Sequence, residues 1–85
     1  TMPLRDTLQS ITNSRDRLIK ITKGRADWDN LRLSVAVATE FLKSYPVADD
    51  VRVVNWCRTH EEHVDRLLTS KQRPTLKPLL MGRKP

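Results

Sequence analysis

Apolar side chains return at three- and four-residue steps along almost the whole chain, and that period admits little other than amphipathic α-helix. In the first segment Leu4, Leu8, Ile11, Leu18 and Thr22 follow it, with Arg15 filling the gap in register. In the second, Trp28, Leu31, Val35, Ala38, Leu42 and Tyr45 share one stripe. The third carries Val53, Cys57, His60, Val64, Leu67 and Leu68. A strand would show alternation instead, and no Asn-Gly or Asp-Gly hairpin signal occurs.

The residues between the stripes read as helix ends. Pro3 suits a first turn, where its missing N–H costs nothing. Gly24 accepts the left-handed backbone that helix ends commonly use, so the first helix is expected over about 3–23. Asp27 reads as the N-cap of the second helix, with Asp29 favoured by the helix dipole. Trp28, set in the polar stretch "KGRADWDNL", is then its first core residue. Pro46 ends that helix, and Asp49 or Asp50 caps the third, which is expected to run to about Arg73. Pro74 and Pro78 stop it. Short connections favour antiparallel neighbours. The expected fold is therefore all-α: an up-down-up three-helix antiparallel bundle over residues 1–73, with a basic, proline-containing tail over 74–85. Its structural core is expected at Trp28, Leu31, Val35, Leu42, Val64 and Leu68.

At 85 residues, 38% hydrophobic and 5% aromatic, the chain has enough apolar surface for one small helical domain and too few ring and β-branched residues for a sandwich. No apolar run approaches the length that spans a bilayer. The single Cys57 cannot form an internal disulfide, and no signal peptide is visible, so a reducing cytoplasm is the expected setting. The net charge of +6 is uneven: +4 over residues 1–25, −3 over 26–70 and +5 over 71–85. Basic ends suit nucleic acid, an acidic protein or plain solvation. Interleaved aromatics and a recognition-helix signature are lacking, which makes nucleic acid the weaker alternative.

The stretch "CRTHEEH" places Cys57, His60 and His63 at three-residue steps, with Glu61 one turn from Cys57. These are zinc-ligand types, but too few for a closed site, and the spacing is not that of a metalloprotease helix. No metal, cofactor or catalytic set is expected, since no phosphate loop, nucleophile elbow or Ser/His/Asp grouping is present. A second apolar stripe is more informative. Leu33, Val37 and Phe41 stand at four-residue steps around the second helix from its core face, and Trp56 and Leu67 edge the third. These five residues are expected to line a groove that receives a partner's amphipathic helix.

A first helix closed by Gly24, then "ADWDNL" opening a second, then "EEHVDRLLTSKQ" in a third, resembles the flagellar export chaperones of the FliT type. The resemblance covers roughly residues 4–73 and maps Trp28, Leu31, Val64, Leu67 and Leu68 onto the family's pattern. It implies a small cytoplasmic helical protein without catalytic activity. Such proteins bind the C-terminal helix of a filament-cap protein and keep it soluble before export. Some also contact the export ATPase complex or a flagellar transcription regulator. The family carries a further C-terminal helix that can cover the binding surface. Here Pro74 and Pro78 leave little from which to build one. The run Leu79, Leu80, Met81 is then expected to be disordered, to fold back across the bundle, or to dock into a second chain as a homodimer. The alternative function is a small basic nucleic-acid-binding or transcription-regulatory protein.

Overall fold

The computed structural model describes residues 2–82, and these form five helices rather than three. Helix α1 spans Leu4–Ile21, α2 Trp28–Ser44, α3 Asp50–Thr59, α4 Glu61–Leu67 and α5 Arg73–Met81. Among the described residues there is no strand, and no helix is long and apolar enough to cross a membrane.

Helix α1 buries Leu4, Leu8, Ile11, Thr12 and Ile19. The buried Thr12 hydroxyl donates to the Leu8 carbonyl at 2.7 Å, so its burial leaves no polar group unpaired. The helix ends two residues before the expected position, and Gly24 then turns the chain at φ +101°, a conformation strained for any residue with a Cβ. Asp27 is the N-cap of α2 as expected, its carbonyl accepting the Leu31 N–H at 3.1 Å, but its side chain makes no capping bond, and that part of the expectation is corrected. Trp28 holds this corner instead. Its Nε1–H donates to the Ile19 carbonyl at 2.7 Å, and its half-buried ring packs against the core. Tyr45 and Pro46 close α2 as expected.

Both aspartates at the next boundary are used, on different helices. Asp49 accepts the Arg52 N–H at 2.9 Å and caps α3. Asp50 Oδ1 accepts the Leu4 N–H at 3.1 Å and so caps α1 from across the fold. The single third helix expected over 50–73 breaks at His60. The Thr59 hydroxyl and a His60 ring nitrogen both engage carbonyls one turn back, those of Asn55 and Trp56, at 2.9 Å. Such back-bonding competes with the helical ladder and bends it. Glu61 and Glu62 open α4, where the dipole favours negative charge.

The largest correction concerns residues 74–85. Residues 73–81 are helical and fold onto the rest, with Leu80 fully buried and Leu76 and Met81 packed against the core. A reciprocal pair closes the turn that leads into this helix: the Thr69 N–H donates to Gln72 Oε1 at 3.0 Å, and the Gln72 N–H donates to the Thr69 hydroxyl at 3.2 Å. Pro74 sits in the first turn, where proline is favoured, and only Pro78 lies in the interior. Lys77 bridges Glu61 at 2.8 Å and Asp65 at 2.9 Å, tying α5 to α4. Gly82 closes the helix at φ +73°; a Cβ there would stand 3.1 Å from Val54 Cγ1. Arg83 and Lys84, counted in the basic tail, lie outside the described residues.

One core joins all five helices. Val35 and Leu42 of α2, Val53 and Cys57 of α3, Val64, Leu67 and Leu68 around α4, and Leu80 of α5 are all at most 4% exposed. Of the expected core residues, Leu31 is also buried, and Trp28 lies at its margin.

Candidate functional site: an aromatic groove between the second and third helices

Helix α2 packs on α1 and α4 rather than directly on α3, and rings carried at four-residue steps on α2 and α3 bridge the space between them in one row. Phe41 and Tyr45 stand 5.2 Å apart between centroids. Phe41 stacks on Trp56 at 4.9 Å, and Trp56 stacks on His60 at 4.5 Å. Beyond them His60 faces His63 at 6.3 Å. The Arg52 guanidinium sits 4.4 Å over the Tyr45 ring, within cation–π range. Phe41 is buried, while Tyr45, Trp56 and His60 are half-buried, so the row keeps one edge in solvent.

This row forms part of the wall of an open groove of about 470 Å³, completed by Val51, Asn55 and Thr59, with Asp49 and Arg52 among its lining residues. Val51 is 69% exposed, and nearby in sequence Val47, in the link between α2 and α3, is 90% exposed. The groove therefore offers aromatic and branched apolar surface beside one carboxylate and one guanidinium. No residue of α5 lines it, so the C-terminal helix leaves it open.

Of the five residues expected to bind a partner, Phe41 and Trp56 come together in this groove. Leu33 is 52% exposed and Val37 half-buried on α2, but neither lines it. Leu67 is corrected. It is fully buried in the core, because the break at His60 resets the helical register that would have kept it on the Trp56 edge. Tyr45, Val51, Arg52 and Asn55 were not anticipated. The available signal was the four-residue step Arg52–Trp56–His60, in register with Phe41–Tyr45 on the facing helix.

The residues weighed as metal ligands do not converge. Cys57 is fully buried in the core, and burial pushes its thiol pKa up to about 12. His60 is engaged with the Trp56 carbonyl, and His63 Nδ1 lies 2.9 Å from the Ser34 hydroxyl. Among the described residues no group of three or more His, Cys, Asp or Glu side chains is placed to hold a metal ion. Ser34 and His63 form the nearest approach to a nucleophile–base pair, but Ser34 is fully buried and has no surface from which to attack a substrate. Burial lowers the His63 pKa, the charges of Arg66 and His60 lower it further, and Glu62 opposes them.

The chain matches no protein-family profile, and no curated protein or solved structure is significantly similar to it.

Proposed function

We propose that this chain is a protein-binding module, not an enzyme, and that it holds an amphipathic helical segment of a partner in the groove between α2 and α3. The ring row carries the reading: Trp56 stacked between Phe41 and His60, with exposed Val51 beside it. Covering apolar surface is worth about 25 cal/mol per Å², and a tryptophan in a pocket is a frequent anchor of interfaces. The groove is an open trough with charges among its lining residues, a shape suited to side chains projecting from a docked helix.

The narrower form of the proposal is a cytoplasmic flagellar export chaperone that keeps the C-terminal helix of a filament-cap-type protein soluble. Its support is the resemblance around Gly24 and Trp28, together with a C-terminal helix, α5, where that family carries one. Contacts with an export ATPase complex or a flagellar regulator, and a homodimer, belong to that narrower form.

Titration with a synthetic C-terminal helix of a filament-cap protein tests both levels, read by amide-shift mapping. Saturable shifts over residues 41–60 that survive high salt and vanish in Val51→Asp support the narrow form. The same behaviour with an unrelated amphipathic helix alone supports only the broad one. Binding of neither peptide, together with oligonucleotide binding that falls steeply with salt, returns the nucleic-acid alternative.

A further inference from the structure

A second surface lies on α1 and shares no lining residue with the aromatic groove. A cavity of about 280 Å³ between α1 and the α4–α5 connection runs into another of about 330 Å³, and both are lined by Ile11, Ser14, Arg17 and Gln72. Together they form a trough along α1 from Met2 to Ile21. At 1.5 Å per residue the stretch from Thr7 to Ile21 is roughly 21 Å long, enough for about four turns of a docked helix.

Its chemistry is one-sided. Ile21 is 81% exposed at one end and Met2 61% exposed at the other, with Ile11, Leu18 and Leu76 between them. Arg15 and Arg17 are the charged residues in the wall, and no carboxylate lines it. Arg17 is exposed and has no ion pair among the described residues. Arg15 is the more unusual, because its Nε is buried without a hydrogen-bond partner. Burial lowers its pKa; Asp27 opposes that, and the charges of Arg25 and Arg73 add to it. A buried donor left unpaired among like charges is stabilised by an incoming anion. No aromatic ring lines the trough, so it lacks the stacking platform that single-stranded nucleic acid uses.

We propose that this trough docks an acidic amphipathic helix of a partner protein, with its carboxylates on Arg15 and Arg17 and its apolar side chains against Ile11, Leu18 and Ile21. The chain then presents two independent docking faces, one aromatic and one basic-apolar.

The test uses the full chain and a helix-forming peptide with glutamates on one face and leucines on the other. Amide shifts should map to α1 and to residues 69–76, and the affinity should weaken with salt. Arg17→Glu and Ile21→Ser change exposed side chains and leave the core intact. Each should weaken the peptide by about tenfold or more, while Val51→Asp in the other groove should not. A control peptide with glutamine in place of leucine should not bind. Shifts that map to Phe41 and Trp56, or an affinity unchanged by Arg17→Glu and Ile21→Ser, overturn the proposal. So does tighter binding of an oligouridine at the same residues, which would make the natural anion a phosphate. Self-association abolished by Arg17→Glu also overturns it, since the occupant would then be a second copy.

Discussion

Leu80 should account for most of what keeps the C-terminal helix in place. Helix α5 has nine residues, below the length at which isolated helices hold together in water, and Pro78 removes one of its ladder bonds. Its helicity is therefore borrowed from docking. Leu80 is fully buried, whereas Leu76 and Met81 are half-buried and Lys77 makes only solvent-accessible ion pairs. Removing a buried leucine side chain costs about 2–5 kcal/mol, whereas solvent screening leaves an exposed ion pair little weight. Leu80→Ala should thus destabilise the fold by about 3 kcal/mol in a urea titration followed by circular dichroism. The loss has a ceiling. Once it exceeds the free energy of docking, α5 undocks and further damage costs nothing. A chain ending at Gln72 should then be no more than about 1 kcal/mol less stable than Leu80→Ala, and both should show a smaller denaturant slope. Amide exchange should lose its protection over residues 73–81 while α1 and α2 keep theirs. A Leu80→Ala variant within about 0.5 kcal/mol of the parent would refute the reasoning, as would a truncation several kcal/mol worse than the point variant.

Other outcomes follow from single contacts. Trp28→Phe keeps a ring at the α1–α2 corner but removes the bond to the Ile19 carbonyl, and should cost about 1 kcal/mol by chemical denaturation. Cys57, with its thiol raised to about 12 and fully buried, should resist a thiol-specific disulfide reagent at neutral pH and react fully once the chain is unfolded. The His63 pKa is lowered from the ordinary 6.5, so the unfolded chain binds that proton more tightly. Stability should therefore be full above 6.5 and decline as the pH falls below it; a His63→Gln variant that retains the same acid slope would exclude His63 as its cause.

The helices α1 and α2 were legible because each repeats one apolar stripe between clear stops at Gly24 and Pro46. The break at His60 was not, since apolar spacing continues across it from Cys57 to Val64. At the break the Asn55 and Trp56 carbonyls accept added bonds from the Thr59 and His60 side chains, which a hydrophobic pattern does not register. That break also accounts for the misplaced Leu67. Eleven residues on from Trp56, it would occupy nearly the same angle on an uninterrupted helix, since 100° per residue returns after about three turns. Two prolines hide α5 in the sequence, since proline usually stops a helix. The opposing signal was present as Thr69-x-x-Gln72 followed by Pro74, a helix start rather than an end. Phe41 and Trp56 were legible for the same reason as the helices: each lies beside its core stripe, and both rings reach into the space between α2 and α3.

Charge was the feature whose meaning changed most between sequence and structure. A chain of +6 with basic ends suggests a polyanion, yet four guanidinium groups, those of Arg5, Arg15, Arg58 and Arg73, bond carbonyls at the chain's own helix ends. Arg5 donates to the Tyr45 carbonyl at 2.8 Å and the Leu42 carbonyl at 3.0 Å, at the end of α2. Arg15 and Arg73 reach the carbonyls of Arg66 and Asp65 at the end of α4. Arg58 donates to the carbonyls of Met81 and Gly82 at the end of α5. Each cation stands where unpaired carbonyls and the negative end of the dipole favour it, while Asp49 and Asp50 do the converse at the starts of α3 and α1. Short helices have many ends per residue, so a five-helix chain of this size needs such partners more than a three-helix bundle would. Arg5 and Arg58 each fork to two carbonyls, a geometry that a lysine ammonium does not reproduce. That duty draws Arg5, Arg58 and Arg73 away from phosphates; Arg15 still keeps its Nε unpaired in the trough wall, and Arg17 beside it is exposed without an ion pair among the described residues.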